Sequence, residues 1–325
     1  MSTRSSGGDQ AAAACQGVVH LVWRSDLPGA PIPARTICTG GGVWVHADVV
    51  HRVQVNGADL EVSVVGAGEP MLFVQTALSA NELVPIASET VLAASYRRII
   101  YHRRGYGGSS APDGPSSIAA DAADAVALLD SLGVDRVHLV GLSFSAAIAL
   151  QLASTVPERV HSLTVIEPPP VHVPSAAQFR AANARLVELR RDAGVPAALD
   201  AFLTMLVGPH WRSELDQRPP GSIAQIEIDA ATFFDTDIPA LLNWRFSGRD
   251  AAQITAPVLY VGGTDSGPLF AEVRTQILGW LPDAEDTLVA GADHSLAVTH
   301  PREVATALAS FAHRHPITPP HRLDF

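Results

Sequence analysis

The stretch that decides the fold reads Arg136-Val137-His138-Leu139-Val140-Gly141-Leu142-Ser143-Phe144-Ser145-Ala146-Ala147. Its first half is typical of a buried strand, and the alanine-rich run that continues as far as Pro157 is typical of a buried helix. A sharp turn at Ser143 must join the two. Such a strained corner exposes a serine hydroxyl and aims the next backbone N–H groups at one point. Ser143 is therefore a candidate nucleophile.

Strands and helices alternate on both sides of this turn. Helical patterns cover about 81–95, the segment from Ser117 to Gly133, the residues after Ser143 and those from about Pro301. Apolar runs bounded by turn residues predict strands over 51–55, 60–65, 71–74, 98–101, 137–140, 160–166, 257–261 and 286–289. The alternation predicts an α/β fold with a mostly parallel sheet and helices on both faces.

The alternation is interrupted between about residues 171 and 249, where helical patterns follow one another without a strand. We interpret this block as a helical cap inserted at the sheet edge where ligands bind. Residues 1–46 mix Ala, Gly, Pro and Ser without a sustained period, so we expect a disordered extension. Residues 315–325, with three prolines, are expected to form a frayed tail. The folded domain is predicted over 47–314.

The composition bears on the class of protein and on its partners. The 325 residues are 47% hydrophobic and 17% charged, which is enough for a sizeable core. The net charge of −11 argues against nucleic acid and anionic membranes as partners. No apolar run reaches the ~18 residues of a membrane span. Cys15 and Cys38 cannot make a disulfide framework and lack metal-binding spacing, so we expect a cytoplasmic protein.

Two further residues complete a candidate catalytic set with Ser143. Asp265 and His294 follow two successive predicted strands. A serine hydroxyl becomes a good nucleophile when a base takes its proton and an acid fixes the base in one tautomer. We predict Ser143 as nucleophile, His294 as base and Asp265 as acid. Glu167 also ends a predicted strand and stays open as an alternative acid, whereas Asp293 adjoins His294 too closely to orient its ring.

From about His51 to Arg314 the chain resembles an α/β-hydrolase with an inserted cap, in the branch that uses a serine nucleophile. The resemblance rests on the Gly-x-Ser-x-Ser turn, on the order Ser, Asp, His, and on one loop. That loop, residues 102–109, reads His-Arg-Arg-Gly-Tyr-Gly-Gly-Ser where the family has Asp-x-Arg-Gly-x-Gly-x-Ser. The resemblance implies an oxyanion hole built from the backbone N–H groups of Phe144 and Ala77.

Three positions depart from the family's pattern. Gln75-Thr76 stand where members usually have His-Gly, and β-branched Thr76 resists a positive φ, so the loop is expected to differ in shape. Ser145 replaces the second glycine of the turn, and its hydroxyl either fits within the turn or meets substrate. His102 replaces an acid outside the triad and is expected to alter packing alone. None of the three removes a group that acyl transfer requires.

The residues and the resemblance together predict a cofactor-free, esterase-like hydrolase of a small ester, lactone or thioester, acting through an acyl-enzyme. No P-loop, dinucleotide fingerprint or H-E-x-x-H motif occurs, so we expect no cofactor and no metal. Two alternatives stay open: C–C bond hydrolysis or perhydrolase and haloperoxidase chemistry on the same triad, and a non-catalytic ligand-binding protein. Aromatic residues of the predicted cap hint at an apolar portion of the substrate: Phe202, Trp211, Phe233, Phe234, Trp244 and Phe246.

Overall fold

A central sheet organises the part of the chain that the structure describes. The structure is a computed structural model, and it describes residues 37–38, 44–45, 50–215 and 222–317. Two short strands at the start pair only with each other, antiparallel. In chain order the strands are β1 (Ile37–Cys38), β2 (Trp44–Val45), β3 (Val50–Val55), β4 (Ala58–Val65), β5 (Glu69–Val74), β6 (Tyr96–Tyr101), β7 (Val137–Leu142), β8 (Val160–Ile166), β9 (Val258–Gly263) and β10 (Glu285–Val289).

The main sheet has eight strands in the order β10-β9-β8-β7-β5-β6-β4-β3. β3 pairs antiparallel with β4, and β4 with β6, whereas every other neighbouring pair is parallel. The mostly parallel sheet predicted from the alternation is confirmed. After β5 the chain turns to one side to form β6 and then crosses to the other side to form β7. Ligands bind outside the carboxyl ends of strands at such a switch point, here the ends of β5 and β7.

Helices cover both faces of this sheet. The core on one face is built largely with α3, α4 and α11, and the core on the other with α1, α2, α12 and α13. The helices are α1 (Val84–Ser88), α2 (Thr90–Ala93), α3 (Ile118–Ser131), α4 (Phe144–Thr155), α5 (Ala176–Ala193), α6 (Val195–Leu206), α7 (Trp211–Leu215), α8 (Ser222–Thr232), α9 (Ile238–Asn243), α10 (Gly248–Ala251), α11 (Gly267–Trp280), α12 (Leu296–Thr299) and α13 (Pro301–Arg314).

The block predicted as a helical cap corresponds to α5 to α10, which lie between β8 and β9 with no strand among their described residues. A π-helical turn, Phe233–Asp237, joins α8 to α9. The cap has an apolar core of its own, which contains Leu199, Trp211 and Phe234. Leu78, from the loop after β5, belongs to the same cluster. The cap therefore packs directly on the loop that follows β5.

The chain ends fall largely outside the described residues. The predicted disordered extension, 1–46, is described only at β1 and β2, and the predicted tail, 315–325, only as far as residue 317. Both stay predictions. Among the described residues, no helix combines the length and the apolar character needed to cross a membrane.

Candidate active site

Ser143 occupies the sharp corner between β7 and α4. Its φ of 51° and ψ of −118° are unusual for a residue with a side chain. The corner needs Gly141, because a Cβ there would lie 2.4 Å from the carbonyl oxygen of Ser145. The Ser145 hydroxyl accepts a hydrogen bond from the Leu142 N–H at 2.9 Å and contacts the Leu142 carbonyl at 3.0 Å. Ser145 is fully buried, so its hydroxyl belongs to the turn and does not face substrate.

The imidazole of His294 lies beside this serine. Nε2 of His294 is 3.1 Å from Oγ of Ser143, which is within reach for proton transfer. His294 lies in the loop between β10 and α12, so the structure joins two of the three residues predicted from the sequence. The ring of Phe270, from α11, stacks on the imidazole with centroids 4.1 Å apart and planes 20° apart. No sequence pattern singled out Phe270.

The carboxylate that meets the imidazole belongs to Glu167, not to Asp265. Oε2 of Glu167 lies 2.6 Å from Nδ1 of His294. Its other oxygen, Oε1, accepts a hydrogen bond from the Gly263 N–H at 2.8 Å. Glu167 is 1% exposed, so both oxygens are fixed in a buried setting. The expectation that Asp265 contacts His294 is corrected, and the alternative that the sequence left open takes its place.

Sheet order explains this correction. β8 lies between β7 and the two outer strands β9 and β10, so the loop of His294 passes over the end of β8 on its way to Ser143. Glu167, the first residue after β8, lies on that path. Asp265 is exposed, and its backbone N–H donates to the carbonyl of Ala292 at 2.8 Å. Asp265 thus contributes to the turn that carries the histidine loop.

The surroundings of the Glu167 carboxylate also change the pKa of a neighbouring tyrosine. Tyr260 lies on β9, and burial raises the pKa of its hydroxyl, with the Glu167 carboxylate raising it further. The water-poor surroundings strengthen the electrostatic interaction between Glu167 and His294. A carboxylate held there stabilises a positive charge that develops on the imidazole during proton transfer.

The loop after β5 lies next to the serine corner. The Thr76 hydroxyl donates to the carbonyl of Leu142 at 2.8 Å, which ties the loop to the end of β7. The positive φ in this loop, 62°, falls at Leu78 and not at Thr76. Within the described part of the chain, the backbone N–H groups of Ala77 and Phe144 make no hydrogen bond. Both groups are thus available for the oxyanion role that the resemblance implies.

Among the residues that the structure describes, no group of three or more His, Cys, Asp or Glu side chains is placed to hold a metal ion. The side chains of Ser143, His294 and Glu167 contact one another in sequence, and a serine, a histidine and a carboxylate are the set that acyl transfer uses.

Comparison with known proteins agrees with this architecture. A model of the alpha/beta hydrolase fold family matches residues 80–301. The proteins named "Putative carbamate hydrolase RutD" from Azorhizobium caulinodans and Variovorax paradoxus are 27% and 30% identical to this chain. The alignments cover 75% and 69% of this chain and 91% and 84% of those proteins.

Solved structures show the same fold. The enol-lactonase from Burkholderia xenovorans LB400 superposes with a TM-score of 0.67 at 19% identity, over 81% of this chain and 100% of the other. At that identity the likeness concerns the fold alone. Because the family match spans more than half of the sequence and covers β6 to β10, the cap and the serine corner, the chain belongs to the alpha/beta hydrolase fold family and is a hydrolase.

Proposed function

We propose that the protein is a serine hydrolase in which Ser143 is the nucleophile, His294 the base and Glu167 the orienting acid. One observation carries the proposal: an unbroken chain of contacts from Ser143 Oγ to His294 Nε2 at 3.1 Å and from His294 Nδ1 to Glu167 at 2.6 Å. Such a chain lets the imidazole accept the hydroxyl proton while the carboxylate fixes its tautomer.

In the first half of the reaction Ser143 Oγ bonds to the carbonyl carbon, and its proton passes to His294 Nε2. The carbonyl oxygen becomes an oxyanion, which the N–H groups of Ala77 and Phe144 stabilise. The tetrahedral species collapses, the bond to the leaving group breaks, and His294 gives the proton to the leaving oxygen or sulfur. In the second half water attacks the acyl-enzyme, releases the acid and returns the proton to Ser143.

We propose a small ester, lactone or thioester as the substrate, and a carbamate as the second candidate. The carbamate is included because the RutD relatives carry the name carbamate hydrolase. A carbamate carbonyl presents the same electrophilic carbon to Ser143. Its nitrogen donates electron density to the carbonyl carbon, so the carbamoyl-enzyme should react with water more slowly than an acyl-enzyme.

The aromatic residues of the cap contact one another in its apolar core. The ring centroids of Phe202 and Phe233 lie 4.8 Å apart with tilted planes, and those of Phe233 and Phe234 lie 5.0 Å apart. Trp211 is 2% exposed. These rings pack among themselves inside the cap, so an apolar portion of the substrate stays a prediction from composition.

Labelling with a fluorophosphonate probe tests the proposal. We expect one probe per chain on Ser143 in the wild type, none in Ser143→Ala, and full labelling in the control Ser266→Ala. Burst kinetics with p-nitrophenyl acetate and p-nitrophenyl N,N-dimethylcarbamate then compare the two substrate classes. An absence of labelling, combined with tight binding of an unaltered ligand, would contradict the proposal and favour the ligand-binding alternative. Labelling without ester, thioester or carbamate turnover would favour C–C hydrolysis or perhydrolysis.

A further inference from the structure

A buried group of charges connects the cap to the core next to the active site. Arg103, from the loop after β6, is 3% exposed, and it pairs with two carboxylates, Asp121 of α3 and Asp237 of the cap. The hydroxyl of Tyr106 joins the group. Asp237 is the last residue of the π-helical turn Phe233–Asp237, a rare local structure that is often found at functional sites.

Asp237 receives three hydrogen bonds in this group. Arg103 donates to it in a bidentate manner, from Nη1 to Oδ1 at 3.0 Å and from Nη2 to Oδ2 at 2.7 Å. The Tyr106 hydroxyl donates to Oδ2 at 2.5 Å. Asp237 is 1% exposed, so water does not compete for these donors. A carboxylate of the cap therefore fixes the positions of both side chains.

Arg103 and Tyr106 also form hydrogen bonds with the backbone of the loop after β5. Nε of Arg103 donates to the Gln75 carbonyl at 2.9 Å, and Nη2 donates to the Thr76 carbonyl at 3.4 Å. The Tyr106 hydroxyl, whose hydrogen goes to Asp237, accepts the backbone N–H of Leu78 at 3.0 Å. The proposed oxyanion donor, Ala77, is thus bracketed: its two preceding carbonyls are held by Arg103 and the next N–H by Tyr106.

Backbone conformation shows why such a support is needed. Leu78 has a φ of 62°, a conformation that costs free energy for a residue with a branched side chain. The hydrogen bond from its N–H to Tyr106 and the packing of its side chain in the cap core compensate for this cost. Without them the loop can relax and turn the N–H of Ala77 away from the oxyanion.

The guanidinium of Arg103 also contacts the side chain of Phe144, the residue that supplies the second proposed oxyanion donor. Cζ of Arg103 lies 4.5 Å from the ring centroid of Phe144, whose backbone N–H is the other half of the oxyanion hole. In the family's loop pattern Arg104 matches the arginine, whereas Arg103 and Tyr106 fill variable positions. The two residues that connect Asp237 of the cap to the loop after β5 are therefore ones that the family motif does not specify.

We infer that Asp237 is a positioning residue that holds the oxyanion loop in its working shape from the cap, through Arg103 and Tyr106. The inference rests on the proposed function, because it assigns the loop an oxyanion role. It makes a specific claim beyond that function: transition-state stabilisation by the N–H of Ala77 depends on a carboxylate that touches neither substrate nor Ser143.

The experiment compares Asp237→Asn and Tyr106→Phe with the control Tyr101→Phe. The Tyr101 hydroxyl is buried and has no hydrogen-bond partner within the described residues, so its removal deletes a buried hydroxyl without touching the loop. Each variant is assayed with an ester and with its thionoester, in which sulfur replaces the carbonyl oxygen. Sulfur accepts hydrogen bonds poorly, so an enzyme with an intact oxyanion hole prefers the ester.

We expect kcat for the ester to fall about 10–100-fold in Tyr106→Phe and Asp237→Asn, below the loss of about 10²–10³-fold for deleting one oxyanion donor outright. KM should change little, and the ester-to-thionoester ratio of kcat should fall towards one. Tyr101→Phe should keep the wild-type ratio. If Asp237→Asn does not fold, Tyr106→Phe carries the test alone.

An unchanged ratio in Tyr106→Phe would overturn the inference, whatever the loss of stability or of kcat, since a merely structural defect slows both substrates alike. That result leaves the proposed function standing as long as the wild type is labelled at Ser143. If the wild type is not labelled and hydrolyses neither substrate, the proposed function fails first.

Discussion

Nε2 of His294 lies 3.1 Å from Oγ of Ser143, although 151 positions separate the two residues along the chain. The sheet brings them together. Ser143 follows the central strand β7 and His294 follows the outermost strand β10, and both residues lie at the carboxyl end of the sheet. An imidazole at this distance can take the hydroxyl proton directly.

Replacement of Ser143 or His294 by Ala should lower kcat by roughly 10⁴–10⁶-fold, by analogy with other triads. The two losses should not add in the double variant, because the residues act as one unit. Steady-state kinetics with p-nitrophenyl acetate measures both. Additive losses would show that the two side chains act independently.

Glu167→Gln should lower kcat by roughly 10⁴-fold, because the amide no longer fixes the tautomer or balances the imidazolium. Asp265→Asn is the matched control, since it makes the same chemical change at an exposed carboxylate one strand further out. We expect the control to keep activity within about threefold of the wild type, as for most surface substitutions. A larger loss in Asp265→Asn than in Glu167→Gln would restore Asp265 as the acid.

The sequence identified the residues that follow strands, but not the lateral order in which those strands lie in the sheet. Ser143 could be identified because a strand pattern runs into a helix pattern at one serine, and the structure confirms that corner. The acid could not be identified in the same way. Glu167 and Asp265 both follow strands, and only the lateral order of the strands decides which one reaches His294.

Other features depend on contacts that no local pattern encodes. The fold class and the cap follow from periodicity and from turn residues, which act over a few positions. The stacking of Phe270 on His294 and the pairing of Arg103 with Asp237 join residues 24 and 134 positions apart. Nothing in the loop pattern at 102–109 signals that Arg103 reaches the cap.

Phe270→Leu should reduce kcat several-fold. The stacked ring limits rotation of the imidazole, and an aromatic contact contributes about 0.5–1.5 kcal/mol, which corresponds to about 2–10-fold in rate. Phe270→Tyr keeps the ring and should restore most of the activity. Leu269→Ala, its neighbour on α11, serves as the control for general loosening of the helix. A Phe270→Leu enzyme with wild-type kcat would show that Glu167 alone orients the imidazole.

The stability of the fold should fall in mild acid because of His172. Burial, together with the nearby guanidinium groups of Arg180 and Arg245, lowers the pKa of this histidine to about 4. The ring packs on Trp244 with centroids 5.0 Å apart. In the unfolded chain this histidine has a pKa of about 6.5 and binds the proton more readily than in the folded chain. The contribution of neutral His172 to folding stability is therefore fully present above about pH 6.5 and is lost as the pH falls from about 6.5 to 4.

His172→Gln removes this titration. The melting temperature of the wild type should therefore fall more steeply between pH 7 and pH 5 than that of the variant, even though the variant starts from a lower value after losing the ring contact with Trp244. Thermal unfolding at the two pH values gives the double difference, in which the carboxylates common to both proteins cancel. Equal slopes would mean that protonated His172 is tolerated in the folded state, with its charge reaching solvent despite Arg180 and Arg245.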